Sequence, residues 1–318
     1  RHILPALRDV PIELAALADH NTARGLEVAR QCGARRFYPN HKALLAKEKL
    51  DAVLIVVGPD EAGRPRYPEI AAEALSAGFH TWVDAPPCSS AADVKTYTDA
   101  CFRGHKYVIT GFRRMFSPAY VKLSEIIAQP DFGGASSFAM HYASPAPPAE
   151  TDHLFLDFLQ PYSVLLRLFG EARGFSVLRR NRDWVITLRF REVVGALHIS
   201  PQAAGSSGER IEVTGPKGSA VVERGTRLVY HRAGEGQSSE RLAELTQAAP
   251  LFWEPDLVST AFADASPFLS GYVGCLRHFA EALLQGEAPR YGNLVDMLHA
   301  MTVHDKLVAA KEETWVTL

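Results

Sequence analysis

The sequence has few of the features that give a quick answer. Its 318 residues include only four cysteines, at 32, 88, 101 and 275, with no Cys-x-x-Cys pair and no His/Cys cluster. That scatter argues against a disulfide framework or a structural zinc site and makes a reducing cytoplasm the expected compartment. No metal ligand set is expected. Long apolar runs are missing too. DAVLIVVGP (51–59) is among the longest and is too short to cross a bilayer, and Arg1–Leu7 has no signal-peptide pattern. There is no basic block, and the net charge is −2, so neither nucleic acid nor a membrane is an expected partner. No internal repeat is found. What remains is a chain with 47% hydrophobic and 22% charged residues, enough to bury a sizeable core in one large or two ordinary domains.

The first third alternates strand and helix signals. IELAALAD (12–19) reads as a strand ending at an acid. TARGLEVARQCG (22–33) has helical spacing and a C-terminal glycine. HKALLAKEKL (41–50) is a short helix, and DAVLIVVGP reads as a strand buried on both faces. A helix at 67–78, a strand in HTWVDAP, a helix at 89–104 and a strand at 106–112 follow. Such alternation predicts βαβ units and a parallel sheet. After Phe112 the pattern changes. A helix (117–129) and an alternating strand (134–144) lead to a Pro-rich connection (144–152). A helix is predicted over 161–170, with Pro161 in its first turn. Six runs with antiparallel-strand spacing come next, with a hairpin turn in TGPKGS (214–219). Residues 232–270 read as an irregular surface excursion, and 272–286 and 294–312 as helices in which Met297 and Met301 pack.

HTWVDAPPCSS (80–90) poses the functional question. A strand that stops at Asp84-Ala85-Pro86 in an open α/β sheet ends where ligands bind, yet Ala85 carries no chemistry. Asp19 ends another strand. It could accept ribose hydroxyls of a dinucleotide, or simply sit in a turn beside Asn21 and Thr22.

The order of segments speaks more clearly than any one of them. HILPAL, ELAALADHNTARGLEVARQCG, DAVLIVVGPD, EALSAGFHTWVDAPPCSSAADVK and VITGFRRMFSPAY occur in that order. They are followed by LLRLFG, IEVTGPKGSAVVE, FAEALLQGEAPR and TWVTL. Together they resemble the Gfo/Idh/MocA oxidoreductase family (glucose–fructose oxidoreductase, inositol dehydrogenase and relatives) over nearly the whole chain. The resemblance implies an N-terminal Rossmann domain (1–112) and a C-terminal α+β domain (113–318) with a large, open, mostly antiparallel sheet. It also implies NAD or NADP as cofactor, a small-molecule substrate, and a homo-oligomer, dimer or tetramer. Asp19, with His20 beside it, corresponds to the adenosine-ribose position and slightly favours NAD, since a carboxylate repels a 2′-phosphate. Val57, Gly58, Pro59, Tyr67, Asp84, Ala85, Pro86 and Arg114 correspond to the cofactor crevice. Arg113, Gln160 and Ser163 correspond to substrate-side positions.

The chain departs from the family in three places. The family's first strand and Gly-x-Gly-x-x-Gly loop have no counterpart in the sequence, which is expected to reflect a trimmed N-terminus rather than a lost strand. The family's Glu-Lys-Pro corresponds to Asp84-Ala85-Pro86, so the lysine that would stabilise alkoxide charge is gone. The family's proton-shuttling histidine falls on Gln160 and its aspartate on Ser163, and an amide cannot titrate. His153 and Asp157, four apart, would share a helix face and could replace them; they could equally be a capping or solvated pair. Two functions stay open: an oxidoreductase of sugars, polyols or related hydroxy compounds with rearranged proton-transfer groups, or a catalytically silent relative acting as a binding or scaffold subunit.

Overall fold

A computed structural model describes residues 2–58, 60–61, 64–144, 153–180, 183–201, 208–232, 250–255 and 262–318. For 144, 153–157, 201 and 262–265 only the backbone is described. In chain order the elements begin α1 (Ile3–Ala6), β1 (Ala16–Ala18), α2 (Thr22–Cys32), β2 (Arg36–Tyr38) and α3 (His41–Lys47). Then come β3 (Ala52–Ile55), α4 (Tyr67–Ser76), β4 (His80–Asp84), α5 (Val94–Gly104) and β5 (Val108–Gly111). α6 (Pro118–Ile127), β6 (Ser137–Ser144) and α7 (His153–Phe169) follow. Six strands come next: β7 (Gly174–Arg180), β8 (Asp183–Arg189), β9 (Val194–Pro201), β10 (Glu209–Gly215), β11 (Gly218–Glu223) and β12 (Arg227–Arg232). The chain ends with β13 (Leu251–Trp253), α8 (Phe262–Leu269), α9 (Tyr272–Gln285), α10 (Leu294–Ala309) and β14 (Val316–Thr317).

Two compact units result. The first comprises residues 1–112 and 275–301, the second 113–274 and 302–318. The break after Phe112 falls where the sequence pattern changes. Residues 275–301, expected with the second domain, fold with the first. Hydrogen bonds explain this: the Trp82 indole N–H donates to Cys275 Sγ at 3.5 Å, and the Thr110 amide to the Gly292 carbonyl at 2.7 Å. Met297 and Met301 are fully buried there, as packing residues should be.

In the first unit the parallel strands form two sheets, β1–β2 and β3–β4–β5, where one was expected. A doubly wound sheet places its first strand at the centre. β1 and β3, the strands that would flank it, are not bonded to each other. Burial follows this division. Trp82, Val83 and Ile109 are fully enclosed, whereas in β3 only Ile55 is buried and Val56 just beyond it is 54% exposed. DAVLIVVGP is therefore not buried throughout: among the described strands β3 pairs with β4 alone.

β2 was not anticipated. Its residues, Arg36-Phe37-Tyr38, form a strand because Glu48 gathers them: Arg36 forks onto its carboxylate and the Tyr38 hydroxyl donates to Oε1 at 2.5 Å. The Arg36 and Tyr38 hydrogen bonds outweigh burial and hold the Glu48 carboxyl below its ordinary value.

The second unit is built on a nine-stranded sheet in the order β13-β12-β11-β10-β6-β9-β8-β7-β14. All neighbours are antiparallel except β6 and β9. Alternation decides the faces. Phe138, Met140, Val177, Ile186, Leu197, Ile211, Val222 and Leu228 point to the buried side. The TGPKGS hairpin joins β10 to β11 through Pro216-Lys217. Two expectations change here. α7 starts at His153 and runs through Pro161, which therefore lies inside the helix and not in its first turn. A proline removes one N–H, and the flanking turns of a long apolar helix hold across that loss. The excursion after Arg232 is not irregular throughout: β13 pairs with β12, and α8 follows it.

Candidate functional site

The dinucleotide-side residues lie in the first unit. β1 ends at Ala18, and Asp19 follows at the start of the turn into α2. Asn21 caps that helix by accepting from the Arg24 amide at 3.1 Å. Asp19 Oδ1 accepts from the Asn21 amide at 2.8 Å, and Oδ2 from Arg24 Nη2 and Nε at 2.7 and 3.2 Å. Gly25 makes this close packing possible, since a Cβ there would overlap the Phe37 ring and lie 2.8 Å from Asp19 Cβ. Burial alone would raise the Asp19 pKa. The Arg24 hydrogen bond, the Asn21 amide and the nearby charges of Arg24 and His20 outweigh it and hold the carboxyl below its ordinary value. His20 is largely exposed, its Nδ1 3.6 Å from Asp19.

After β3, Val57 is half-buried and Gly58 exposed, with the Gly58 carbonyl accepting from Arg66 Nε at 3.0 Å. Pro59 lies outside the described residues. Tyr67, at the start of α4, is buried. Asp84 ends β4, and its Oδ1 accepts from the Ala85 amide at 3.0 Å. The Ala85–Pro86 peptide is cis. The turn is anchored beyond this point by the Tyr97 hydroxyl, which donates to the Pro87 carbonyl at 2.5 Å, and by the Ser90/Asp93 capping box. HTWVDAPPCSS is thus a firmly held strand end with a half-buried carboxylate at Asp84 and a methyl group at Ala85.

The substrate-side candidates lie in the second unit. Gln160 is on α7, and its Oε1 accepts from the Arg114 amide at 3.3 Å. Ser163 is buried, with its hydroxyl donating to the Gln160 carbonyl at 2.7 Å. His153 and Asp157 are both in α7. Positions 153, 157 and 160 are i, i+4 and i+7, one stripe of a 3.6-residue helix; the side chains of the first two lie outside the described residues. Arg113 donates to the Ser270 carbonyl at 3.2 Å and lies over the Tyr272 ring, 5.1 Å from its centroid.

Arg114 was expected at the cofactor. Its guanidinium pairs with Glu209 Oε2 at 2.9 Å, in surroundings that leave the two side chains only 21% and 9% exposed. The Tyr120 hydroxyl donates to Glu209 Oε1 at 2.5 Å. Glu209 and Tyr120 gave no signal in the sequence, since an acid at the start of an alternating strand reads as solvent-facing. Arg24 was missed as well; only its position in the first turn after Asp19 could have pointed to it.

Comparison with known proteins agrees with this architecture. Residues 1–112 match the GFO_IDH_MocA family, described as an oxidoreductase family with an NAD-binding Rossmann fold. D-xylose 1-dehydrogenase (NADP+) 2 of Haloferax volcanii is 26% identical over 152 residues, 48% of this chain and 45% of the relative. Myo-inositol 2-dehydrogenase of Thermotoga maritima is 25% identical over 226 residues, 64% of this chain and 66% of the relative. The aligned part thus spans about half to two-thirds of these relatives. Levoglucosan dehydrogenase, solved with NADH and levoglucosan, superposes with a TM-score of 0.81 at 17% identity, covering 100% of this chain and 96% of that one. Among the described residues no helix is long and apolar enough to cross a membrane. Residues 1–112 thus match an oxidoreductase family with an NAD-binding Rossmann fold, and the chain as a whole shares the fold of the levoglucosan dehydrogenase structure.

Proposed function

We propose that this chain is an NAD(P)-dependent oxidoreductase acting on a sugar, a polyol or a related small hydroxy compound, in the cytoplasm. The observation that carries the reading is Asp19, a carboxylate at the C-terminal end of a parallel strand, directly before a capped helix, in a unit that matches an NAD-binding family. The carboxylate suits the adenosine end of a dinucleotide, an acid for ribose hydroxyls, and Val57 and Gly58 follow the end of β3. No Gly-x-Gly-x-x-Gly occurs in this sequence, so no residue is assigned to the pyrophosphate. A dinucleotide held by this acid would supply hydride transfer from its nicotinamide end.

The chain's own residues supply the rest. His153 takes the substrate hydroxyl proton, Asp157 on the same stripe of α7 orients it, and Gln160 positions the substrate through its amide. Arg113 binds the substrate's polar periphery. Ser163 supports α7 from within, because its hydroxyl is spent on the helix backbone. Asp84 and Pro86 shape the crevice beside Ala85. The catalytically silent alternative rests on Ala85 and Gln160 alone, and the similar proteins named above are dehydrogenases.

Titrating the protein with NADH and following nicotinamide fluorescence tests the reading. Asp19→Ala is expected to weaken binding several-fold, from the ~1.5–3 kcal/mol scale of hydrogen bonds to a charged group. An unchanged dissociation constant removes Asp19 from the site.

Self-association belongs to the same reading. The outward face of the nine-stranded sheet carries Leu178, Val185 and Val194 at 49%, 37% and 49% exposure. Bulky apolar groups on a broad face favour a partner. A dimer or tetramer is expected in sedimentation velocity at micromolar concentration, and a monomer counts against it.

A further inference from the structure

A small cavity opens in the second unit beside the turn that carries Arg113. Arg114, Thr226, Ser266, Leu269 and Ser270 line it, and it encloses about 170 Å³. Three pieces of chain meet there: the single-turn 3-10 helix Arg113–Phe116, the turn between β11 and β12, and the end of α8. Gly271, at φ +85°, brings the end of α8 against the 3-10 turn, since a Cβ there would overlap the Arg113 carbonyl. The walls are cationic and hydroxylic. Arg114 pairs with Glu209 through Nη2, while its Nε is buried without a hydrogen-bond partner among the described residues. Arg113 stands one residue behind the wall, donating from Nη1 to the Ser270 carbonyl at 3.2 Å with its guanidinium over the Tyr272 ring. Among the described residues no carboxylate pairs with Arg113. Its charge is therefore in excess of the one local carboxylate, Glu209.

The cavity adjoins the α7 stripe. Gln160 Oε1 accepts from the Arg114 amide at 3.3 Å, so the side chain assigned to position the substrate is tied to the cationic wall. Resting on the oxidoreductase reading above, we propose that the substrate is a sugar acid, a small polyhydroxy compound whose carboxylate sits in this cavity. The carboxylate is a handle and does not react. Arg114 meets it with its planar guanidinium, and the Thr226 and Ser266 hydroxyls add donors. Arg113 supplies the balancing charge from behind Ser270. One surplus cation in a half-buried setting matches a monoanion. A phosphate ester brings a second negative charge beside Glu209 with nothing to offset it. Size points the same way. The cavity's 170 Å³ is well below the roughly 300–1,000 Å³ of pockets for drug-sized ligands, so it takes one end of a small molecule.

The test is steady-state oxidation by the full chain, with NAD and with NADP, of matched compounds. Glucose is compared with glucuronate, galactose with galacturonate and sorbitol with gluconate, and glucose 6-phosphate is the phosphate arm. In at least one pair the acid should exceed its neutral partner, and the phosphate, at least tenfold in kcat/KM. Arg113→Gln should raise KM for that acid about tenfold, the scale of a lost charge-assisted contact, with kcat and the neutral partner little changed. Ser266 is exposed, so a charge there is tolerated by the fold. Ser266→Asp should raise the acid's KM by like-charge repulsion, and Ser266→Lys should lower it. A preference for the neutral compounds or for the phosphate overturns the proposal and leaves the oxidoreductase reading standing. So does an acid KM indifferent to Arg113→Gln and Ser266→Asp, or an equal change for acid and neutral partner. If no compound is oxidised with either nucleotide, the oxidoreductase reading falls and takes this proposal with it.

Discussion

Replacing His153 with alanine is expected to cut turnover of the sugar or polyol substrate by roughly 10²–10⁴-fold, the usual worth of general acid–base help. Cofactor affinity should stay near wild type, because the loss belongs to proton transfer and not to binding. The acidic limb of the pH–rate profile, in the neutral range where histidine ordinarily titrates, should disappear with it. Ala85 cannot hold positive charge near a developing alkoxide, and Gln160 cannot take a proton. Among the α7 candidates, only His153 can move a proton near neutral pH, and its position is on the stripe of Gln160. If His153→Ala leaves turnover unchanged, the pair Ala85→Lys with Gln160→His becomes decisive. A site that lost its two groups should gain activity from both together and little from either alone, since groups acting as a unit are non-additive. A folded, cofactor-binding double variant with no activity would leave a binding role as the better account.

Glu209→Ala is expected to cost about 3 kcal/mol or more of stability, the scale for breaking a buried ion pair. It removes the charge partner of the Arg114 guanidinium and the acceptor of the Tyr120 hydroxyl. The neighbouring turn between β11 and β12 tightens the cluster: a Cβ at Gly225, where φ is +65°, would come within 3.2 Å of both Arg114 Nη1 and Glu209 Oε2. Urea unfolding should show a lower midpoint at similar slope. Removing both partners for apolar residues, Arg114→Met with Glu209→Leu, should recover much of the loss, because desolvation of the charges disappears along with their attraction. A surface-like effect below about 0.5 kcal/mol for Glu209→Ala would mean that water reaches the pair.

Much of the architecture was readable because period and punctuation agree in many segments. α2 announced itself through Asn21 at one end and Gly33 at the other. β4 did so through an apolar run cut by Pro86. The sheet of the second unit was written in a series of runs with the spacing of antiparallel strands. Short or non-local features were not legible. β2 depends on Glu48, ten residues beyond Tyr38, and β14 is two residues long. The parallel pairing of β6 with β9 is set by neighbours far apart in the chain. Asp19 drew notice as the acid that ends an apolar strand, and its proposed role at the ribose came from the family resemblance, not from the residue alone. Arg24 could not be named, since nothing in a helical run of polar residues says which one folds back. The Arg114–Glu209 pair joins positions 95 residues apart and has no local mark at all.

The make-up of the first unit bears on how the protein is synthesised. A chain emerges from the ribosome N-terminal end first, and domains ordinarily fold as they emerge. Here the indole of Trp82 waits for Cys275, 193 residues later, and the Thr110 amide waits for Gly292. The Rossmann unit begins first and is completed only after the body of the sheet unit has been made. An expression fragment cut at Phe112, where the family match ends, would carry every Rossmann strand described here. It would still leave the buried Trp82 N–H and the Thr110 amide without their acceptors. Such a fragment should be made together with residues 275–301 on a linker, or not be expected to stay soluble.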